Sequence, residues 1–392
     1  MDFVMLDSSA ALADLCEEAR ASGRLGLDTE FLWERTYSPQ ICLAQVNVDN
    51  RVYLADPLDG VDLQPISELI SDPAVEVVMH APHADLVAFA LRHGAEPVNT
   101  FDTQVTAGFT GLSAGLAYEK LVYEVTRQKV QPSESFSDWS RRPLQDKQLQ
   151  YAGEDVEHLF NMRDTLVAKL QELGREEWAR EELTRRFDGV EHFMTAPDEA
   201  WRKVGRRGKL GPGDLAVLRE VAAWRENLAR SRDLPVGWVA KDPTMIEIAR
   251  RQPASQRDLV RVRGVDGSMK AREQSELLAA IERGRSAEPI LEEGAAPIRG
   301  VRRRIAVAKG LATALLRARC EAEEIASELV GTSSDVEELI GWIAGGKTDA
   351  SAPFLLRGWR EPFGLDLVDL VDGRIQLQLV DDDPYLVIHR VE

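Results

Sequence analysis

The chain has 392 residues, 44% hydrophobic and 29% charged, a balance typical of a globular protein with two or three domains. No stretch approaches the run of about 18 apolar residues that a transmembrane helix needs, and the first residues do not resemble a secretory signal. We therefore expect a cytoplasmic protein without a membrane partner. The three cysteines are widely spaced and give no indication of a disulfide framework or a zinc site.

The formal net charge of −18 argues against nucleic-acid binding until it is divided along the chain. Residues 1–195 carry a net charge of −17, residues 201–304 carry +9 and residues 305–392 carry −8. A basic middle segment is compatible with phosphate binding, although a solvated helical surface is the alternative.

The first part of the chain alternates strand and helix patterns. LADLCEEARASG has helical spacing, RLGLDTEF is typical of a strand, QICLAQVNVDNRVYLADP indicates two strands around a turn, and VEVVMH indicates a short buried strand. Helical patterns follow at 82–93, 102–125, 145–171 and 172–187. This alternation predicts a mixed α/β domain over residues 1–195.

The rest of the chain has helical patterns almost throughout. A passage rich in Gly and Arg leads into a first helical domain, predicted over residues 210–286. SAEPILEEGAAPIRG, rich in Pro, Gly and Glu, indicates a linker. A second helical domain is predicted over residues 300–392.

Two acidic residues stand one apart in the strand-like stretch LGLDTEFLWE. Asp28 and Glu30 point to the same face, because alternate residues of a strand share a face. Two like charges in a core are costly unless something positive lies between them. A metal ion would be such a partner.

Further candidate ligands follow along the chain. Asp85 comes just after the buried strand, at the start of a helical pattern, and Tyr151 and Asp155 stand four apart on one face of a later helix. Four carboxylates can hold two divalent cations of the Mg²⁺ or Mn²⁺ type, which prefer oxygen ligands. Such a pair catalyses in-line attack on a phosphodiester, and the phenol of Tyr151 would orient the attacking water.

The order of these motifs resembles the ribonuclease D family, among the 3'-to-5' exonucleases that have four acidic residues and a tyrosine in the third motif. The matching stretches are LGLDTEF with PQICLAQV, MHAPHADL, FDTQVTAGF and SDWSRRPLQDKQLQYAGEDVEHL. The resemblance implies a ribonuclease H-like exonuclease fold for the first domain. It also implies metal-binding roles for Asp28, Glu30, Asp85 and Asp155.

The resemblance extends into the helical part. The segment from LAVLREVAAWREN to RDLVRVRG looks like the helicase and RNase D C-terminal (HRDC) module, a nucleic-acid binder in the family, and the last segment is similar to a second such module. The function implied is trimming of the 3' ends of structured RNA, such as tRNA precursors. A 3'-to-5' exonuclease for single-stranded DNA and a non-catalytic RNA-binding protein on a nuclease fold remain alternatives.

Candidate RNA contacts lie near the third motif. Trp139 beside Arg141 and Arg142 could stack on RNA and pair with phosphate, although a packing Trp with two solvated arginines is equally compatible with the sequence. The family usually has basic residues where this chain has Pro132 and Phe136. Either cations such as Lys129 would then bind the RNA phosphates, or the RNA would be bound more weakly.

Two further signals have a structural interpretation. GWIAGGKT matches the spacing of a phosphate-binding loop, but it follows an acidic helical pattern rather than a buried strand, so we expect a helix end and no nucleotide cofactor. Asp102 is a tempting fifth carboxylate. We expect it to cap the helix that begins after it.

Overall fold

The structure is a computed structural model that describes residues 3–130, 137–207, 210–265, 269–291, 299–345, 352–381 and 386–391. Among these residues, no helix is both long enough and apolar enough to cross a membrane. The chain forms a first unit around a six-stranded sheet, a middle unit of helices, and a third unit of helices with a small sheet.

The sheet of the first unit is mixed. Its strands are β1 (Phe3–Met5), β2 (Arg24–Leu32), β3 (Gln40–Val48), β4 (Arg51–Ala55), β5 (Glu76–Met79) and β6 (Thr100–Asp102). Their order across the sheet is β1-β4-β3-β2-β5-β6, with β2 antiparallel to β3 and parallel to β5. The predicted turn between β3 and β4 is confirmed: Asp49 and Asn50 have φ of 50° and 62°, the left-handed values of a tight hairpin turn.

Eight helices of the described first unit surround this sheet. They are α1 (Ser9–Ser22), α2 (Gln64–Ile70), α3 (His83–His93), α4 (Thr103–Ala107), α5 (Tyr118–Thr126), α6 (Asp146–Glu157), α7 (Leu159–Leu173) and α8 (Glu176–Phe187). The structure differs from the sequence analysis at two places. The pattern 102–125 forms two helices, and the pattern 145–171 is interrupted at His158.

The middle unit consists of α9 (Pro212–Arg232), α10 (Val236–Val239), α11 (Asp242–Arg251), α12 (Gln256–Leu259) and α13 (Ala271–Ser286). It has its own hydrophobic core, which includes Trp201, Val221 and Leu277. The long helices α9 and α13 pack closely. A Cβ atom at Gly284 would lie 2.5 Å from the Cα atom of Val217, so only glycine fits there.

The third unit contains α14 (Arg299–Ala322), α15 (Ser327–Val330), α16 (Ser333–Ala344), α17 (Glu361–Val371) and two antiparallel strands, β7 (Ile375–Leu379) and β8 (Leu386–Arg390). The prediction of an all-α region is wrong for these strands. Ile375, Leu377 and Leu379 alternate with glutamines, and this period of two is that of a strand. The helix end predicted within GWIAGGKT is confirmed at Ala344, while residues 346–348 of that motif lie outside the described residues.

The third unit shares one continuous hydrophobic core with the first unit, whereas the middle unit does not. Phe109 of the first unit packs edge-on against Trp359, with 4.9 Å between the ring centroids. A Cβ atom at Gly108 would lie 2.6 Å from Leu329, so the backbone of the first unit touches the third. The domain bounds given above remain predictions, and residues 292–298 of the predicted linker lie outside the described residues.

Polar groups of the middle unit contact the first unit. Tyr37, which follows β2, donates its backbone N–H to Asp233 at 2.9 Å and its hydroxyl to Glu226 at 2.5 Å. Arg92 of α3 forms an ion pair with Asp233 at 3.0 Å. These contacts hold the middle unit beside the ends of β2 and α3.

Candidate active site

The two acidic residues of β2 lie together on one face of the central part of the sheet. Asp28 and Glu30 are both partly buried. The pairing register of β2 with β3 shifts between Glu30 and Phe31, and such irregularities bend a strand. Thr29, between the two acids, donates a hydrogen bond from its hydroxyl to a carboxylate oxygen of Asp85. The strand therefore also positions the third acid.

Asp85 lies in the first turn of α3 and is 6% exposed. The connection from β5 to α3 is sharp, because Ala81 has a φ of 52°. One carboxylate oxygen of Asp102 accepts the backbone N–H of Ala81 at 2.9 Å and that of Gln104 at 2.8 Å. The predicted capping role of Asp102 is confirmed, and the same side chain also holds the turn that leads to Asp85.

Helix α6 supplies the tyrosine and the fourth acid. Gln145 and Gln148 form a reciprocal capping box at its start. Tyr151 and Asp155 stand one turn apart, and the phenol of Tyr151 is hydrogen-bonded to the carboxylate of Asp155. The ring of Tyr151 also packs near Trp139, with 6.2 Å between the ring centroids.

The pKa values of all four carboxylates are raised, and those of Asp28 and Glu30 are raised by the other acids as well as by burial. Burial, followed by the charges of Asp85, Asp155 and Glu30, raises the pKa of Asp28 well above its usual range. Burial and the charges of Asp155 and Asp85 raise the pKa of Glu30 to about 9. Burial raises the pKa of Asp85 to about 6 and that of Asp155 to about 7. These shifts place all four predicted acids in one electrostatic cluster.

This cluster has the donor set of a divalent cation site. Among the groups of the described chain that shift the pKa values of Asp28 and Glu30, none is a cation, so the negative charge is uncompensated. Oxygen ligands of this kind suit Mg²⁺ or Mn²⁺. In the described part of the chain, however, no three acidic, histidine or cysteine side chains are already arranged as a metal site. The carboxylates are thus close enough to repel one another without converging on one point.

Two of the predicted RNA contacts lie against other groups of the protein. Trp139 is only 2% exposed, so its indole packs in the core and cannot stack on RNA. The guanidinium of Arg142 donates to both carboxylate oxygens of Asp56, at 2.6 and 2.7 Å, and to the carbonyl of Cys42 at 2.8 Å. Its donors are therefore already engaged by the protein.

The other predicted contacts lie at the surface. The side chain of Arg141 is 84% exposed and forms an ion pair with Asp138 at 3.0 Å, while Lys129 is exposed. Their contact with RNA remains a prediction. Pro132 and Phe136, which replace the family's basic residues, lie outside the described residues.

A groove of about 910 Å³ runs between the first and middle units. Trp33, which directly follows β2, lines it together with His83, which precedes Asp85 by two residues. Arg202 and Lys203 also line it. Trp33 was not among the residues predicted from the sequence, although its place just after the acidic strand was a usable signal. At 44% exposure, its indole is available to a ligand.

Two models of known protein families match different parts of the chain. A family model described as a 3'-5' exonuclease matches residues 3–171, and a model of the HRDC domain matches residues 214–281. Ribonuclease D of Acidiphilium cryptum is 34% identical over 384 residues, which cover 95% of this chain and 94% of that protein. Ribonuclease D of Escherichia coli is 32% identical over 368 residues, covering 92% of this chain and 96% of that protein.

A solved structure matches nearly the whole chain. The crystal structure of Escherichia coli RNase D, described as an exoribonuclease involved in structured RNA processing, has a TM-score of 0.78 and 30% identity. The match covers 95% of this chain and 99% of that chain. It confirms the predicted fold class, an α/β exonuclease domain followed by a helical region of the HRDC kind.

Proposed function

The chain belongs to the ribonuclease D family and is a 3'-to-5' exoribonuclease, and from this premise we propose which residues perform the reaction and which RNA is cut. Membership over nearly the whole chain decides against the two alternatives, a DNA exonuclease and a non-catalytic RNA-binding protein. The family is metal-dependent.

Asp28, Glu30, Asp85 and Asp155 hold two divalent cations, Mg²⁺ or Mn²⁺. The observation that supports this assignment is the raised pKa of all four carboxylates, with no cation near Asp28 or Glu30 in the described chain to offset them. When bound, cations of this type lower the pKa of water and stabilise charge on a leaving oxygen.

The chain's own groups arrange the reactants. Thr29 fixes Asp85 through its hydroxyl, and Tyr151 fixes Asp155 through its phenol. Because both partners are neutral donors, they orient the carboxylates without removing their charge. The phenol of Tyr151, held at this position, orients the water that attacks the terminal phosphodiester.

The substrate is structured RNA with a single-stranded 3' end, with tRNA precursors as the proposed cellular class. An acidic cluster repels phosphate, so capture falls to the groove and the basic middle segment, which carries a net charge of +9. Trp33 offers a stacking surface at the end of β2, and Lys203 lines the same groove. A cytoplasmic location stays a prediction.

The test is a time course on a 5'-labelled tRNA with a short 3' extension and on a DNA strand of the same sequence, with Mg²⁺, Mn²⁺ or EDTA. The wild-type protein should shorten the RNA stepwise in a metal-dependent way, and Asp28→Asn should not. Asp146→Asn is the matched control, because Asp146 is an exposed acid in the first turn of α6. Full activity of Asp28→Asn would refute the metal assignment. Equal loss in Asp146→Asn would show that any charge change disturbs the enzyme.

A further inference from the structure

The end of α6, which carries Asp155, has an unusual hydrogen-bond arrangement. In a continued helix the backbone N–H of His158 would bond to the carbonyl of Glu154, four residues earlier. Among the described backbone hydrogen bonds this one is missing, and α6 ends at Glu157. The His158 N–H turns to the carbonyl of Val156 instead and also to the hydroxyl of Tyr118, at 3.4 Å, while that hydroxyl donates to the Glu154 carbonyl at 2.8 Å.

From this arrangement we propose that Tyr118 is a positioning residue for Asp155, and through Asp155 for the metal-binding cluster. The hydroxyl bridges the two backbone groups that flank Asp155 in the chain. It therefore stops the helix there and determines where Asp155 points. This role rests on the proposed function of Asp155 as a metal ligand.

The surroundings of Tyr118 support the role. It begins α5, and its ring meets that of His80, beyond the end of β5, edge-on at 5.6 Å between the centroids. Tyr118 thus joins the strand that leads to Asp85 with the helix that carries Asp155. Burial, and next the charge of Asp155, raise the pKa of Tyr118 well above its ordinary value, so the hydroxyl keeps its proton as a donor.

A small cavity of about 130 Å³ adjoins this contact. It is lined by Tyr118, Tyr151, Glu154 and Asp155, among others. Because this space lies beside Asp155, the helix end has room to shift if its hydrogen bonds change. Without the hydroxyl, either the ordinary helical bond from His158 to Glu154 closes and α6 continues into α7, or the Glu154 carbonyl loses the donor that holds it. Both results displace Asp155.

The experiment measures Mn²⁺ binding by calorimetry without RNA, and kcat and KM with RNA, for Tyr118→Phe. We expect Mn²⁺ affinity and kcat each to fall by about tenfold, as for other groups that orient metal ligands, and KM to change by less than about twofold. Tyr123→Phe is the matched control, since Tyr123 lies on the same helix and is 43% exposed. It should leave all three values unchanged.

Two outcomes would overturn the proposal. If Tyr118→Phe lowers only the melting temperature and leaves Mn²⁺ affinity and kcat intact, Tyr118 has a merely structural role. The second outcome concerns Asp155→Asn: Tyr118→Phe should add nothing to its weakened Mn²⁺ binding, and a further tenfold loss would show that Tyr118 does not act through Asp155. Failure of the proposed function looks different, because the wild-type protein itself would then bind no Mn²⁺, and the role of Tyr118 would fall with it.

Discussion

Arg360 of the third unit and Glu182 of α8 form a buried ion pair, with 2.6 Å between Nη2 and Oε2 and side-chain exposures of 2% and 0%. Arg360 also donates to the carbonyls of Leu329 and Val330, at 2.8 and 3.1 Å. Glu182 in turn accepts from Arg185 at 2.7 Å. The third unit is therefore anchored in the nuclease core rather than appended to it.

Replacing the cation of this pair should destabilise the whole protein. Arg360→Met leaves a buried carboxylate with fewer partners, which typically costs about 3 kcal/mol. Urea unfolding of the two proteins measures the difference. Arg180→Met, on α8 with Glu182, is the control, because its ion pair with Glu177 is exposed and should contribute little to stability. Equal effects of the two substitutions would contradict the importance of burial.

The same pair predicts how stability depends on pH. Burial alone would raise the pKa of Glu182, but hydrogen bonds and charges from Arg185, Arg360 and Arg186 outweigh it and lower the pKa to about 2. A carboxyl with a lowered pKa stabilises the folded state above its unfolded pKa of 4.5 and loses that contribution as the pH falls toward 2. Between about pH 5 and about pH 2, the free energy of unfolding should fall less steeply for Glu182→Gln than for the wild type. A slope that does not change would argue against the lowered pKa.

The acidic cluster should change the stability of the fold with pH in the opposite direction. Its raised pKa values mean that the folded state binds more protons than the unfolded state, so without metal the cluster destabilises the fold as the pH rises through about 6 to 9. Asp28→Asn removes one of the repelling charges. At about pH 8, we expect the metal-free variant to have a higher melting temperature than the metal-free wild type. We also expect Mg²⁺ to raise the melting temperature of the variant less than that of the wild type. A wild type that Mg²⁺ does not stabilise would contradict the cluster's role.

Tyr151→Phe separates chemistry from metal binding. The carboxylate of Asp155 loses one donor but keeps its charge, so Mn²⁺ should still bind in calorimetry. We expect kcat to fall by about 100-fold, the lower end of what a positioned proton donor or acceptor contributes. An unchanged kcat under single-turnover conditions would remove Tyr151 from the mechanism.

Trp33→Ala tests the groove as the path of the RNA. Loss of one stacking surface typically costs about 1 to 3 kcal/mol in binding, so KM for a tRNA with a single-stranded 3' tail should rise by roughly 5- to 100-fold. Trp238→Ala is the control: this tryptophan of the middle unit is 62% exposed but does not line the groove. If both substitutions leave KM unchanged, the RNA takes another path.

The sequence by itself was sufficient for the parts of the fold that depend on local patterns. The hairpin of β3 and β4 follows from alternation around Asp49 and Asn50, and the cap at Asp102 follows from a short-range hydrogen bond. The spacing of Asp28 with Glu30, and of Tyr151 with Asp155, likewise predicted shared faces. Periods of two and 3.6 residues are properties of the backbone, so they can be recognised without any tertiary contact.

Only the tertiary structure decided which side chains are free and where elements end. The sequence predicted RNA contacts at Trp139 and Arg142, but Trp139 packs in the core and Arg142 is paired with Asp56. The break at His158 depends on Tyr118, 40 residues earlier, and the place of the third unit depends on an ion pair between residues 178 positions apart. Burial and hydrogen bonding between distant residues arise only when the chain has folded, because no local pattern encodes which surfaces will meet.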